Sequence, residues 1–179
     1  MTPPCHPRRS IVLGVKPSYR GFGWAGFEAP FSLCDWGIEE QRHPTQAGSL
    51  AALEKLLSRL LPEVLLLEAF ERPAAKRTTP TERLSRAMAR LAAKRGVTVE
   101  VYSRGDVRAC FAPVGARSRD QIAAAVASYL PALRHRLPKP RRPWEGEDRR
   151  MALFSAAALA LTHYQAGADQ VFDDLKLDL

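Results

Sequence analysis

A mixed α/β domain, with one five-stranded sheet and helices on both faces, is the fold class that the order of elements in this chain predicts. Three observations carry the prediction. Three β-prone runs come in succession near the start, two further apolar runs each follow a helix-periodic segment, and a long, almost wholly apolar helical stretch lies near the end. A meander followed by strand-helix alternation calls for antiparallel and parallel neighbours in one sheet, and parallel neighbours need crossovers that cover its faces.

Residues 11–15 are an apolar run that stops at Lys16-Pro17-Ser18, a turn signal, and read as a buried strand. Residues 21–28 and 31–38 are aromatic-rich strands separated by Ala29-Pro30, and Gly21, Gly23 and Gly26 predict close backbone approach or bulging in the former. Leu50, Leu53, Leu56, Leu57, Leu60 and Leu61 recur at helical spacing, so residues 46–61 form an amphipathic helix closed by Pro62. Residues 64–67 are apolar on both faces, as in a central strand, and end on Glu68.

Thr79-Pro80-Thr81-Glu82 is a capping box that opens a helix through Leu84, Met88 and Leu91. Val97, Val99 and Val101 alternate with polar residues, as in a half-exposed strand near the sheet edge. Gly105-Asp106 opens a short helical turn in which Asp106 reads as a cap, not a ligand. Ser118-Arg119-Asp120-Gln121 is a second capping box, ahead of Ile122, Ala125, Val126 and Tyr129, and Pro131 weakens or ends that helix. Residues 134–143 (RHRLPKPRRP) read as an extended basic connector, because each proline removes a backbone donor. Residues 147–165 form the last helix, with Gly167 as its stop.

Composition narrows the function. The 179 residues, 46% hydrophobic and 26% charged, suit one globular domain and exclude a disordered chain. No apolar run reaches the roughly 20 residues of a membrane span, and a signal-peptide core is missing, so a cytoplasmic protein without membrane contact is expected. Cys5, Cys34 and Cys110 are scattered, as are His6, His43, His135 and His163; neither a disulfide framework nor a zinc site follows. G-x-x-x-x-G-K, G-x-G-x-x-G and G-x-S-x-G motifs are all missing, which argues against nucleotide and serine hydrolases.

The net charge is +8 with a pI near 9.9. Residues 165–179 carry −3, so the preceding 164 carry +11, a body that attracts a polyanion. We expect a flexible basic N-terminus over residues 1–10, the folded domain over 11–166 and an acidic tail over 167–179. That tail, with Val171 and Phe172 among aspartates, reads as a segment for a protein partner, as a cover for the basic face, or as a frayed terminus.

With these elements in place, the chain resembles the RuvC-type Holliday-junction resolvases of the ribonuclease H-like superfamily over residues 11–164. The family's first strand ends in an aspartate followed by Pro-Gly; here the run is Val12-Leu13-Gly14-Val15-Lys16-Pro17-Ser18, with lysine at the acid position. The family's central-strand glutamate is matched by Glu68 in Leu65-Leu66-Leu67-Glu68-Ala69-Phe70. Val107-Arg108 and Ser118-Arg119-Asp120-Gln121-Ile122 resemble its basic turn and capped helix. Two aspartates a turn apart open the family's last helix. Aligned on Thr162-His163 those positions are Ala152 and Ser155; aligned on Asp148-Arg149-Arg150-Met151-Ala152-Leu153, Asp148 keeps the first acid and Met151 replaces the second. Both alignments leave the acid set incomplete.

The resemblance implies a ribonuclease H-like fold, a homodimer, and cleavage through two divalent ions, which need several carboxylates around them. Lys16, Glu68 and at best Asp148 sum to −1, so neither metal nor other cofactor is expected. Instead, Lys16 is expected to stand in for the cation: an ammonium about 4 Å from Glu68 gains ~4 kcal/mol at an effective dielectric near 20, before desolvation. The plainer alternative has Lys16 in solvent and Glu68 capping the next helix.

The leading reading is a RuvC-like protein that binds branched or structured DNA, or RNA, without cutting it. Its contacts are Arg104, Arg108, Arg117 and Arg119, with Arg134, Arg136, Lys139, Arg141 and Arg142 of the connector. The competing readings are a magnesium-dependent endonuclease built on Glu68 and Asp148, helped by Glu145, Glu147 or Asp35, and a protein-interaction subunit that reuses the fold.

Overall fold

The structure, a computed structural model, describes residues 10–70, 78–140, 142, 144 and 146–177, with side chains as far as Ala168. Cys5, His6, Arg141, Glu145, the basic N-terminus up to Arg9 and the side chains of the acidic tail from Asp169 onward lie outside it.

Five strands form one sheet in the order β3-β2-β1-β4-β5, with β1 Val12–Ser18, β2 Gly21–Ala29, β3 Ser32–Glu40, β4 Val64–Glu68 and β5 Thr98–Tyr102. The β1–β2 and β2–β3 pairs are antiparallel, and β1–β4 and β4–β5 are parallel, which is the mixed sheet that the element order predicts. Register shifts at Gly26/Phe27 and Phe27/Ala29 place the expected irregularity in β2.

Strand β1 does not stop at Val15. It runs through Lys16 and Pro17 to Ser18, and the hairpin turns at Tyr19-Arg20. Strand β4 is in register only with Val12 to Gly14, so the far half of β1 has β2 as its one ladder partner, where the missing proline donor costs least.

Helices α1 (Gln46–Leu60) and α2 (Pro80–Lys94) cover one face, packing Leu53, Leu57 and Met88 on Leu13, Val15, Leu65 and Leu67. Thr45 and Thr79 cap them by accepting the amides of Gly48 and Glu82. On the opposite face lie α3 (Arg104–Phe111), α4 (Arg119–Tyr129) and α5 (Met151–Leu177). Ser103 with Asp106, and Ser118 with Gln121, form reciprocal capping boxes at the starts of α3 and α4. Asp106 is thus a cap, as its sequence context indicates.

Helix α5 lies directly on the backbone of β1 and β2. A Cβ on Gly14 would stand 2.1 Å from the Ala156 carbonyl oxygen, and one on Gly23 would stand 2.4 Å from the Ala152 carbonyl carbon. Its bounds differ from the expected 147–165. The chain first makes tight i to i+3 turns, Met151 N to Asp148 O (2.9 Å) and Ala152 N to Arg149 O (3.2 Å), so the helix starts at Met151. At the other end it continues past Gly167 to Leu177; one helical glycine costs about 1 kcal/mol, which the flanking alanines and glutamines tolerate.

Part of the connector is helical as well. Residues Pro131–Arg136 form a 3-10 turn rather than an extended link, because Leu133 is fully buried in the α4–α5 core and Arg134 donates to the carbonyls of Ala127 (3.3 Å) and Ser128 (3.5 Å). Val97, just before β5, and Val99 on it reach the α1–α2 core, whereas Val101 is 58% exposed at the open sheet edge.

Candidate nucleic-acid interface

Gly14 and Leu66 are register partners on parallel strands β1 and β4. Strand alternation brings the same face back two residues later, so Lys16 and Glu68 emerge side by side beneath α5. Lys16 Nζ donates to Glu68 Oε2, and the two side chains are only 9% and 13% exposed. The second carboxylate oxygen, Oε1, accepts from Arg104 Nε at 2.7 Å. Arg104 arrives there because the Ser103–Asp106 box fixes the start of α3 directly after β5. The sequence-predicted ion pair is therefore present, with a guanidinium that the sequence reading had placed on the nucleic-acid side.

Burial pulls the Lys16 ammonium below its ordinary pKa, opposed by Glu68 and assisted by the charges of Arg119 and Arg104. Burial would raise the Glu68 carboxyl, but Lys16 and Arg104 together hold it below the usual carboxylate range. Asp148 is also held low, chiefly by its hydrogen bonds from Arg150, whose Nε and Nη2 lie 3.0 and 2.7 Å from its two oxygens. Glu147 pairs with Arg119 at 2.7 Å. Asp35 lies on β3, across the sheet from Glu68, and is bonded to Arg59.

From α5, Ala152 borders the cavity that contains Lys16, and Ser155 borders the one that contains Glu68. Glu147 and Asp148 border the cavity of Lys16 as well, so the lining is compatible with both alignments, and on either the acid set beside Lys16 and Glu68 is incomplete. Two divalent ions need a cluster of carboxylate oxygens, and here both oxygens of Glu68 already accept from cations while both of Asp148 accept from Arg150. The residues present do not fit a two-metal centre. Among the described residues, no group of three or more His, Cys, Asp or Glu side chains could hold a metal ion.

Above the pair opens a cavity of about 740 Å³, bordered by Tyr19, Arg20, Phe70, Arg104, Arg119 and Arg149 and by the acids Glu147 and Asp148. A smaller pit of about 70 Å³ adjoins it, with Ile122, Met151 and Phe154 as its floor and Arg108 and Arg117 beside Arg104 and Arg119 on its rim.

Neither a family model nor a curated protein matches the sequence. Solved structures do. RuvC of Thermus thermophilus superposes with a TM-score of 0.63 at 19% identity, covering 89% of this chain and 97% of that one. The chain has the RuvC fold. The same enzyme in complex with its Holliday junction substrate gives 0.60 at 20% identity, covering 89% of this chain and 96% of that one. The yeast mitochondrial Holliday junction resolvase gives 0.59 at 17%, covering 96% and 85% respectively.

On this RuvC fold the predicted basic residues divide. Arg104, Arg108, Arg117 and Arg119 share the cleft. Of the connector residues, Arg134 is spent on the end of α4, Arg136 lies over the Trp36 ring at 5.4 Å, and Arg142 lies over Trp144 at 5.9 Å, while Lys139 is exposed. Arg136 lines a separate cavity of about 570 Å³ with Trp36, Arg149 and Arg150. Sequence reasoning missed Arg20 and Arg149. The signal for Arg20 was available, since a strand running through Pro17 puts it at a hairpin tip; Arg149 depended on where α5 begins. No helix among the described residues is long and apolar enough to cross a membrane.

Proposed function

We propose that this protein binds branched or structured nucleic acid, with branched DNA as the favoured ligand, and leaves the phosphodiester backbone intact. One observation carries the reading: the strand-end acid has both oxygens bonded by an ammonium and a guanidinium, in a cleft whose rim is arginine. Cations so placed attract phosphates and release counterions, while the missing carboxylates deprive a divalent ion of its ligands. Shape, not base sequence, is what such a rim reads. A homodimer and a cytoplasmic site of action belong to the same reading.

The test is a mobility-shift series of a four-way junction against linear duplex of equal length over a range of salt, run beside an incubation with Mg²⁺ or Mn²⁺. Tighter junction binding that weakens steeply with salt, and intact strands after incubation, are expected. Absence of any shift at low salt would defeat binding; metal-dependent cleavage lost in Glu68→Gln would replace this reading with that of an endonuclease.

A further inference from the structure

We infer that Tyr19 is a stacking ledge for an unpaired base, and that a bound strand continues across it from the arginine-walled cleft into a second cavity. The inference rests on the nucleic-acid reading above and names the feature of the ligand that the protein selects.

Tyr19 is 80% exposed at the tip of the β1–β2 hairpin. Neither packing nor turn chemistry requires a tyrosine there. Among the described residues the ring joins neither buried core, and two-residue hairpin loops favour Asn, Asp or Gly at positive φ, whereas neither Tyr19 nor Arg20 has positive φ.

Its position does have a consequence for binding. Tyr19 lines the 740 Å³ cavity over Lys16 and also a separate cavity of about 280 Å³ bordered by Ser18, Thr45, Gln46, Thr81 and Arg83. It is thus a partition between two polar hollows, with Arg20 and Arg149, the latter also paired with Glu40 at 2.8 Å, on one side and Arg83 on the other. Arg83 donates one long hydrogen bond, 3.4 Å, to the Thr78 carbonyl and borders the second cavity together with Ser18, Thr45 and Thr81.

A strand laid over this partition sets a base on the ring and its flanking phosphates towards cations on either side. Every base has a π-face, so the contact is indifferent to sequence; in an intact duplex those faces are already stacked, so only an unpaired or branch-point base gains from it. Tyr19 therefore acts as a specificity residue for interrupted over continuous duplex.

The experiment uses the full chain and three labelled DNAs of equal length: an intact duplex, the same duplex with a short single-stranded gap carrying 2-aminopurine, and a four-way junction. Tyr19→Ala is expected to weaken the gapped and junction complexes about 10-fold, within the range of one lost base stack, and to leave intact duplex unchanged. Tyr19→Phe keeps the ring and keeps wild-type affinity, and the 2-aminopurine emission quenched by wild type is restored in Tyr19→Ala only. Phe31→Ala, which removes an exposed aromatic outside these cavities, changes none of the three. Equal affinity of Tyr19→Ala and wild type for gapped DNA overturns the inference while the proposed function stands. An equal loss on intact duplex, or in Phe31→Ala, overturns it too, since the effect is then not stacking. Failure of wild type to bind any of the three removes the function and the ledge together.

Discussion

Lys16, inside β1, and Glu68, the last residue of the adjacent parallel strand β4, lie on the same face of the sheet and form a nearly buried ion pair, to which Arg104 adds a second bond at 2.7 Å. The relationship follows from register, Gly14 opposite Leu66, and so is as firmly fixed as the strand pairing itself. Reversing the charge at Lys16 sets two carboxylates side by side in a site from which water is largely excluded. Lys16→Asp is therefore expected to lower stability by about 3 kcal/mol, the lower end of the cost of a broken buried pair, because Arg104 still serves one oxygen. In a domain of this size that is roughly 6–12 °C in Tm. Thermal unfolding measures it; an unchanged Tm would show that the pair is not structural. The double variant Lys16→Met with Glu68→Met should recover much of the loss, since replacing a whole buried pair by apolar side chains is often neutral.

Acid stability should report the same carboxylate. The folded-state pKa of Glu68 lies below the ordinary glutamate value of 4.5, so between the two the unfolded chain binds more protons than the native one. Its contribution is complete above pH 4.5 and is lost as pH falls through the lower, folded value. Wild type and Glu68→Gln are expected to differ most near neutral pH and to converge in strong acid. Urea unfolding from pH 7 downwards checks this, and curves that stay parallel to the lowest pH would assign the acid limb to other carboxylates.

Much of this arrangement was legible in sequence because local chemistry dictates it. The Thr79 and Ser118 caps set the starts of α2 and α4, Asp106 marks the first turn of α3, and an apolar run ending on Glu68 marks the central strand. What was not legible depended on tertiary partners. Pro17 is tolerated in β1 only because β4 stops short of it, and Leu133 turns a proline-rich link into a helical turn by reaching the core. Gly167, read as a helix stop, is overruled by good helix formers on both sides. Asp148 and the Ala152–Ser155 register satisfy the sequence equally, and Asp148 and Ala152 come to border one cavity because α5 starts only at Met151, after the turn that Asp148 opens.

The seat of α5 can be tested at Gly23. Its absent Cβ leaves room for the α5 backbone at Ala152 and Leu153, both 2.4 Å from where that atom would be. Backbone cannot swing aside as a side chain does, so Gly23→Ala must push α5 off β2 and is expected to cost at least 1–3 kcal/mol, the usual range for overpacking. Gly115, with nothing within 4 Å, serves poorly as a control because its φ is +76°; Gly146, equally open and without that constraint, serves well. Chemical denaturation of Gly23→Ala beside Gly146→Ala should show a loss in the former alone, and equal midpoints would mean that α5 is seated less closely than this.

Carboxylate supply makes the last prediction. If the cleft lacks divalent ions because its donors are missing, restoring donors at the positions that face the pair should restore binding. Lys16→Asp, Ala152→Asp and Ser155→Asp combined with native Glu68 line the two adjoining cavities with four carboxylates, −4 against the +4 of two dications, with Arg104 still bonded to Glu68. Without metal this variant should be less stable than wild type, from mutual repulsion. With Mn²⁺ or Mg²⁺ it should gain Tm in proportion to RT ln(1 + [L]/Kd), about 2.7 kcal/mol at a hundredfold excess over Kd. Wild type should show the same Tm in metal and in chelator, and no saturable heat in calorimetry. Metal-dependent stabilisation of wild type would mean that Glu68 finds further ligands despite Lys16. Failure of the triple variant to respond would place Ala152 and Ser155 away from the pair and favour the alignment on Asp148.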